Sequence, residues 1–258
     1  MRENSKVLIN INNLDEINKF KEIGITNFLF ALQDFSIGYK EYTLDVLKKL
    51  NVNIYLNINI IMDTKKIAEF KKIIKDLYFI KGIFFEDIGV YNLLKEENIP
   101  LFWNQSHFVI NSISINSWLT RVDSAVLANE LMQEEIKYIL SKVIKPVVVK
   151  IFGYNIAMYS RRTLLTNYNN VHKLSSINKA YLEANNNIFI AKENNNGTVL
   201  FYSKPFNYYH IINELDSNKI YYYLFDASFT DYLKIINNEY KISDEKFLNN
   251  KTIYKLED

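Results

Sequence analysis

Residues 121–168 read RVDSAVLANELMQEEIKYILSKVIKPVVVKIFGYNIAMYSRRTLLTNY. RVDSAVLA reads as a strand, or as a strand and a turn. Asn129–Lys142 follows with helical periodicity. Ile136, Ile139, Leu140 and Val143 form its apolar stripe, and Glu134 and Glu135 sit in its first turns, where carboxylates favour the positive helix end. KPVVVKIFG is β-branched and reads as the next strand. A turn carrying Ser160, Arg161, Arg162, Asn167 and Tyr168 closes the stretch.

Working outward, the same alternation recurs upstream. KVLININ, ITNFLFALQ, NVNIYLNINIIM, GIFFEDIG and PLFWNQS are apolar, strand-like runs. Helical patterns separate them: Leu14–Gly24, a segment near Lys40–Leu50, another near Lys65–Tyr78 with Asp63 and Thr64 as N-cap candidates, Val90–Glu97, and SISINSWL. Downstream the rhythm breaks. NIFIAKENNNGTVLFYSK reads as two strands joined at an Asn-Gly turn, SKPFNYYHIINEL as a helix, NKIYYYLFDAS as the eighth strand and FTDYLKIINNEY as the last helix.

Alternating apolar strands and helices imply a parallel sheet. Eight strands in 258 residues imply a closed (β/α)8 TIM-like barrel with a β-hairpin insertion before the last strand. The expected organisation is one barrel domain over residues 1–240, with the hairpin at about 186–204, and a polar tail over 241–258. No Gly-rich phosphate loop follows the first strand, which argues against a dinucleotide-binding sheet.

Composition narrows the chemistry. The formal net charge is +2 and acidic residues are interspersed among the lysines, so charge gives no support to RNA as a partner. There is no cysteine, hence no disulfide frame, thiol nucleophile or thiolate-held metal within this chain. No apolar run suits a bilayer, and the first residues lack the apolar core of a signal peptide, so the expectation is a cytoplasmic protein with no membrane partner. Of 31 basic residues only 4 are Arg, and three of these are Arg121, Arg161 and Arg162. In a chain so rich in Lys, an Arg marks a place where a flat, bidentate fork serves either a ligand or an ion pair.

A barrel's active face lies where strands end. That rule singles out Asn57, Asn59, Glu86, Asp87, Asn104 to His107, Asp123, Lys150, Gly153, Asp226 and Ser228, with the Ser160–Tyr168 loop over the same mouth. Glu86 and Asp87 are successive, so only one of them can face the interior. His107, His172 and His210 carry no ligand spacing, and no metal site is expected.

These residues resemble, in order along most of the chain, the collagenase-like peptidase family U32 with its ubiquinone- and RNA-hydroxylation relatives. NIYLNINIIM resembles the family's third strand with its terminal Asn, here Asn57. The segment GIFFEDIGVYNLLKEENIPLFWNQSHFVINSISINSW is similar to one that places Asp87, Gly89, Gln105, Ser106 and Asn111. RVDSAVLANELMQEEI resembles the arginine-led strand and Glu-Leu helix start, giving Arg121, Glu130, Leu131 and Glu135. FGYNIAMYSRRTLLTNY resembles the family's most recognisable motif, giving Gly153, Ser160, Arg162, Thr166, Asn167 and Tyr168.

The resemblance implies a barrel-like α/β fold. It also implies departures. Where many members place cluster-holding cysteines this chain has Ile156 and Thr163, and where many place an Arg it has Asn129. The expectation is therefore a divergent member without an iron–sulfur cluster or other cofactor. It would act as a non-redox binding or partner subunit with a ligand site at the barrel mouth. Asn57, Gln105, Ser106, Ser160, Arg162, Asn167 and Tyr168 are the candidate ligand-binding residues, for a small anionic ligand or beside a cysteine-bearing relative. The alternative is a peptidase-like hydrolase or RNA-modification enzyme using Arg162, Glu130 and Asp87, with His107 as a further catalytic candidate. Arg162 could instead brace its loop against Glu130 or Asp123.

Overall fold

The computed structural model describes residues 4–105, 109–175, 177–184, 187–230, 234–235, 237 and 239–241. The chain begins with β1 (Val7–Asn10), α1 (Ile17–Glu22), β2 (Asn27–Leu32), β3 (Glu41–Tyr42) and α2 (Leu44–Leu47). It continues through β4 (Asn53–Ile58), α3 (Thr64–Ile73), β5 (Gly82–Phe85), α4 (Ile88–Leu94), β6 (Leu101–Trp103), α5 (Ser112–Leu119), β7 (Ser124–Ala125), α6 (Gln133–Lys142) and β8 (Val147–Gly153). Then come β9 (Ile156–Ser160), α7 (Leu164–His172), β10 (Lys179–Ala184), β11 (Asn187–Asn194), β12 (Gly197–Tyr202), β13 (Phe206–Asn207) and β14 (Ile220–Asp226).

The main sheet runs β13-β8-β14-β1-β2-β4-β5-β6-β7, with β3 beside β2. Every pairing in it is parallel except β13 on β8. The sheet curls far enough for its ends to meet. Val126 forms a single parallel bridge to Val148, and the Leu127 N–H donates to the Val148 carbonyl at 2.9 Å. The architecture is thus a mixed α/β fold on a curled, parallel-rich sheet. Six helices alternate with its strands as far as β8, but the connection from β8 to β14 is a second sheet and α7 rather than one helix.

Strand alternation gives the curled sheet two apolar layers. One face packs on the helices through residues such as Phe28, Phe30, Phe85 and Trp103. The other face turns inward, where Leu8, Leu29, Tyr55, Phe84, Phe102 and Val148 form a separate buried cluster. The Phe84 and Phe102 rings stack at 4.4 Å, and the Tyr55 and Tyr222 hydroxyls meet at 2.5 Å. Both strand faces being buried explains the near-continuous apolar runs in the sequence.

The second sheet is antiparallel, in the order β10-β11-β12-β9. The two strands read from NIFIAKENNNGTVLFYSK are β11 and β12, joined by a two-residue turn at Asn195 and Asn196, one residue earlier than the expected Asn-Gly, with Gly197 opening β12 opposite Asn194. Gly197 has φ +127°, and a Cβ there would lie 2.0 Å from the Ser160 carbonyl oxygen, so the turn needs a residue without a side chain. The Ser160–Tyr168 segment, expected as a loop, has regular structure. It is the end of β9 followed by α7. Glu193, on the neighbouring β11, accepts the Leu165 and Thr166 N–H groups at 2.7 and 3.0 Å and so caps α7 from outside the helix. That partner is 27 residues away from Thr166, which is why local patterning does not reveal the helix.

Other boundaries moved for identifiable reasons. The helix expected over Asn129–Lys142 starts at Gln133, because Glu135 folds back to accept the Met132 N–H at 2.8 Å. The helix expected near Lys40–Leu50 is reduced to α2, since Glu41 and Tyr42 pair with β2. The helix expected over Ser203–Leu215 is β13 followed by a 3-10 segment at Tyr209–Glu214. The tail from residue 242 lies outside the described residues.

Candidate functional site

Two residues along six of the strands from the inward apolar layer, the side chains become polar. Leu8 is followed on the same face by Asn10, Tyr55 by Asn57, Phe84 by Glu86, Phe102 by Asn104, Val148 by Lys150 and Leu224 by Asp226. All six polar residues line one cavity of about 140 Å³ at the C-terminal ends of the strands. A two-residue step rises roughly 6.6 Å, so this polar layer sits one storey above the apolar one. Tyr39, Asn59, Asn129, Glu130, Asn155 and Ile156 complete much of the wall.

Asp226 anchors the layer and is 1% exposed. Lys150 lies 3.5 Å from one of its carboxylate oxygens. Asn10 donates to Asp226 at 3.4 Å, the Ser228 N–H at 3.1 Å, and the Tyr39 hydroxyl at 3.5 Å. Lys150 also donates to the Tyr154 carbonyl at 2.9 Å. Burial pulls the Lys150 ammonium below its ordinary range, and the Asp226 charge opposes that shift. Burial raises Tyr39, with the Asp226 and Glu86 carboxyls adding to the effect. Gly153 leaves room for the pair. It has φ +149°, and a Cβ there would stand 2.5 Å from the Asp226 Cβ and 2.7 Å from the Lys150 Cε.

Glu86 is the contrasting carboxyl. Burial alone pushes it up to about 8. Asp87, its neighbour, points the other way and does not line the cavity. Its two oxygens accept the Gly89 N–H at 2.6 Å and the Met62 N–H at 2.7 Å, capping α4 and tying down the chain before α3.

Several amides in the cavity wall are buried without a hydrogen-bond partner among the described residues. They are the Asn10 and Asn57 side-chain oxygens and both polar atoms of the Asn155 side chain. Because Asn10 donates to the Asp226 carboxylate, its amide orientation is fixed and the orphan is an acceptor. Asn59 differs: its amide clasps the Ile37 backbone at 2.9 and 3.1 Å and holds the loop after β2.

The structure divides the residues expected from sequence. Asn57 and Glu130 line the cavity, Glu130 from an exposed turn ahead of α6. Gln105 is half-buried just after β6 and does not line it; Ser106 and His107 lie outside the described residues. Ser160, Arg162, Asn167 and Tyr168 belong to β9 and α7 and do not line it either. Ser160 accepts the Arg162 N–H at 3.2 Å, Arg162 and Asn167 are exposed, and Tyr168 packs on His172 with ring centres 4.3 Å apart. Arg161, rather than Arg162, makes an ion pair, with Asp63 at 2.8 Å on the surface. Asp123, expected at the mouth, precedes β7 and accepts the Leu101 N–H at 2.8 Å, so it sits at the opposite strand ends. Arg121 lies over Trp118 at 6.0 Å. Asn111 caps α5 through the Ile113 and Ser114 N–H groups.

Asn10, Tyr39 and Asn155 were missed from sequence. Period two along KVLININ, counted from Leu8, points to Asn10. Nothing local marks Tyr39 or Asn155, which reach the cavity from connecting segments. Among the described residues no group of three His, Cys, Asp or Glu side chains is placed to hold a metal ion.

Solved structures similar to the chain include two forms of one spore enzyme. The spore cortex-lytic enzyme SleL of Bacillus megaterium QM B1551 is 10% identical with a TM-score of 0.42, over 92% of this chain and 74% of that one. SleL of Bacillus cereus is 11% identical with a TM-score of 0.44, over 92% of this chain and 75% of that one. No curated protein matches the sequence. Residues 23–223 match the model of Peptidase family U32, a span from the end of α1 into β14 that includes most of the polar layer. The chain belongs to peptidase family U32.

Proposed function

We propose that this chain is a ligand-binding U32 protein whose site is the polar cup at the strand ends, and that it works without a redox cluster of its own. The observation that carries this is the set of orphaned amides of Asn10, Asn57 and Asn155 in the cavity wall. A buried acceptor left without a donor costs about 1–3 kcal/mol, and a ligand bearing N–H or O–H groups recovers it. We read the curled sheet as a (β/α)8-type barrel closed at the Val126–Val148 seam, with residues 1–240 as one domain and 241–258 as a polar tail. Such barrels bind ligands at this end.

Charge selects the ligand class. Lys150 is paired with Asp226, burial pushes the Glu86 carboxyl up to about 8 and so disfavours its charged form, and Glu130 stands at the rim. The cup therefore favours a neutral, donor-rich molecule over the small anion suggested by Ser160 and Arg162. Ile156, at one position resembling a cluster cysteine, is an apolar part of the cavity wall. Cluster chemistry would have to come from a cysteine-bearing relative acting as partner. Cytoplasmic residence belongs to the same reading; no helix among the described residues is long and apolar enough to cross a membrane.

The test is thermal denaturation of the wild-type chain and Asn57→Leu with an acetylated dipeptide amide, a neutral monosaccharide and inorganic phosphate. A neutral probe should stabilise the wild type and not Asn57→Leu. Stabilisation by phosphate alone, abolished in Arg162→Ala, would contradict the assignment.

One observation favours a second reading, a hydrolase or RNA-modifying enzyme. Burial pushes the Glu86 carboxyl up to about 8 in the same cavity where the Asp226 carboxyl is paired with Lys150, two different carboxyl environments of the kind acid–base chemistry uses. Glu86, rather than Asp87, would then be the acid, with Glu130 as base. Turnover of a peptide or undermodified tRNA that survives Glu86→Gln would remove that reading.

A further inference from the structure

Among the described residues, the inserted sheet ends in a free edge. β10 pairs with β11 on one side and with no described strand on the other. Of the sixteen exposed large apolar side chains among the described residues, eight fall between positions 164 and 188, so exposed apolar residues are concentrated in this unit. Tyr181 is 66% and Leu182 40% exposed, on opposite faces of β10. Long apolar edges recruit another strand unless something blocks them.

The sequence of β10, KAYLEA, says which strand fits. The Glu193 N–H donates to the Asn178 carbonyl at 2.9 Å, in register with Lys179 opposite Lys192. Antiparallel ladders alternate, so residues 178, 180, 182 and 184 turn their backbone groups to β11. Lys179, Tyr181 and Glu183 present theirs at the free edge. An antiparallel copy of the same strand, centred on Tyr181, sets Lys179 opposite Glu183 of the second copy and Glu183 opposite its Lys179. Both ends are then complementary, the two tyrosines meet at the centre, and every opposed residue has free backbone groups. Shifting the register by two residues loses both charge pairs. Glu183 has no charged partner among the described residues of its own chain.

We propose that β10 is a self-pairing edge through which two copies of this chain form a two-fold dimer, joining their inserted sheets into one eight-stranded sheet. Leu164, Tyr168 and Val171 form one exposed stripe at helical spacing on α7, the helix that packs against β11 and β12 of the same inserted unit. The interface is isologous, as a two-fold dimer requires. It leaves the cup's lining residues untouched, so it stands or falls separately from the proposed ligand site.

Sedimentation velocity on the full chain tests it. The wild type should dimerise in the micromolar range. Lys179→Glu places Glu opposite Glu, Glu183→Lys places Lys opposite Lys, and each should weaken the dimer by about tenfold or more. An equimolar mixture of the two variants pairs Glu with Lys at both ends and should restore a heterodimer near wild-type strength. A wild type that stays monomeric overturns the proposal, as does a dimer that neither variant weakens. A chain monomeric alone that binds a different protein through β10 also overturns it.

Discussion

The cup and the inserted sheet treat polar residues in opposite ways. In the cup, Asp226 and Lys150 are buried in a parallel sheet and satisfied largely by each other and by neighbouring strands. On the inserted sheet and α7, Arg162, Asn167 and Tyr168 stand in solvent, although they carry the strongest family resemblance. Motif residues and cavity residues are thus different sets that meet at Asn57 and Glu130. The difference teaches that the paired buried polarity of Asp226 and Lys150 is tied to stability, whereas exposed polarity on the insertion is not.

The most severe way to break the comparison is Asp226→Ala. It leaves the Lys150 charge buried and unpaired and frees Asn10 and the Ser228 N–H, so chemical denaturation should show a loss of about 3–5 kcal/mol. A loss no greater than that of a surface substitution would mean that the pair is not formed in solution.

Glu86 gives a pH signature of the same layer. Its folded-state value of about 8 lies above the ordinary 4.5, so between those values the folded chain holds a proton that the unfolded chain has released. Its contribution is fully present below the ordinary value and is lost as pH rises through about 8. Wild-type stability should therefore fall across that window with a slope approaching about 1.4 kcal/mol per pH unit, and Glu86→Gln should flatten it. Identical slopes in the two proteins would place Glu86 in water.

Asn57→Leu is a smaller change of opposite sign. It replaces an amide that has no hydrogen bond among the described residues by an apolar group of similar shape, so stability should hold or rise by up to about 1 kcal/mol while ligand stabilisation disappears. A marked loss of stability would show that the amide already has a partner. Arg162→Ala should have the least effect: an unchanged melting temperature and unchanged ligand response, since its side chain is exposed and makes no described contact. A drop in either would move the site toward the insertion.

Strand alternation made much of the curled sheet legible. The rule that sites lie at strand ends points to Asn57, Glu86, Asn104, Lys150 and Asp226, all in the cavity wall, because period two and strand termination are local properties. The same rule misplaced Asp123, whose strand is only Ser124–Ala125, so that it precedes the pairing instead of following it. α7 was unreadable because its cap, Glu193, comes from another strand. Choosing Asp87 over Glu86 followed the family motif. A capping carboxylate and a cavity carboxyl look alike in sequence, and only the facing of the strand separates them.

The most direct test of the cup as the ligand site is to follow side-chain amide resonances by NMR during titration with whichever neutral probe stabilises the chain. The Asn10, Asn57 and Asn155 amides should shift together and saturably, with the Arg162–Tyr168 backbone unmoved. Shifts confined to Ser160–Tyr168, or no shift at those three amides with any neutral probe, would contradict the assignment.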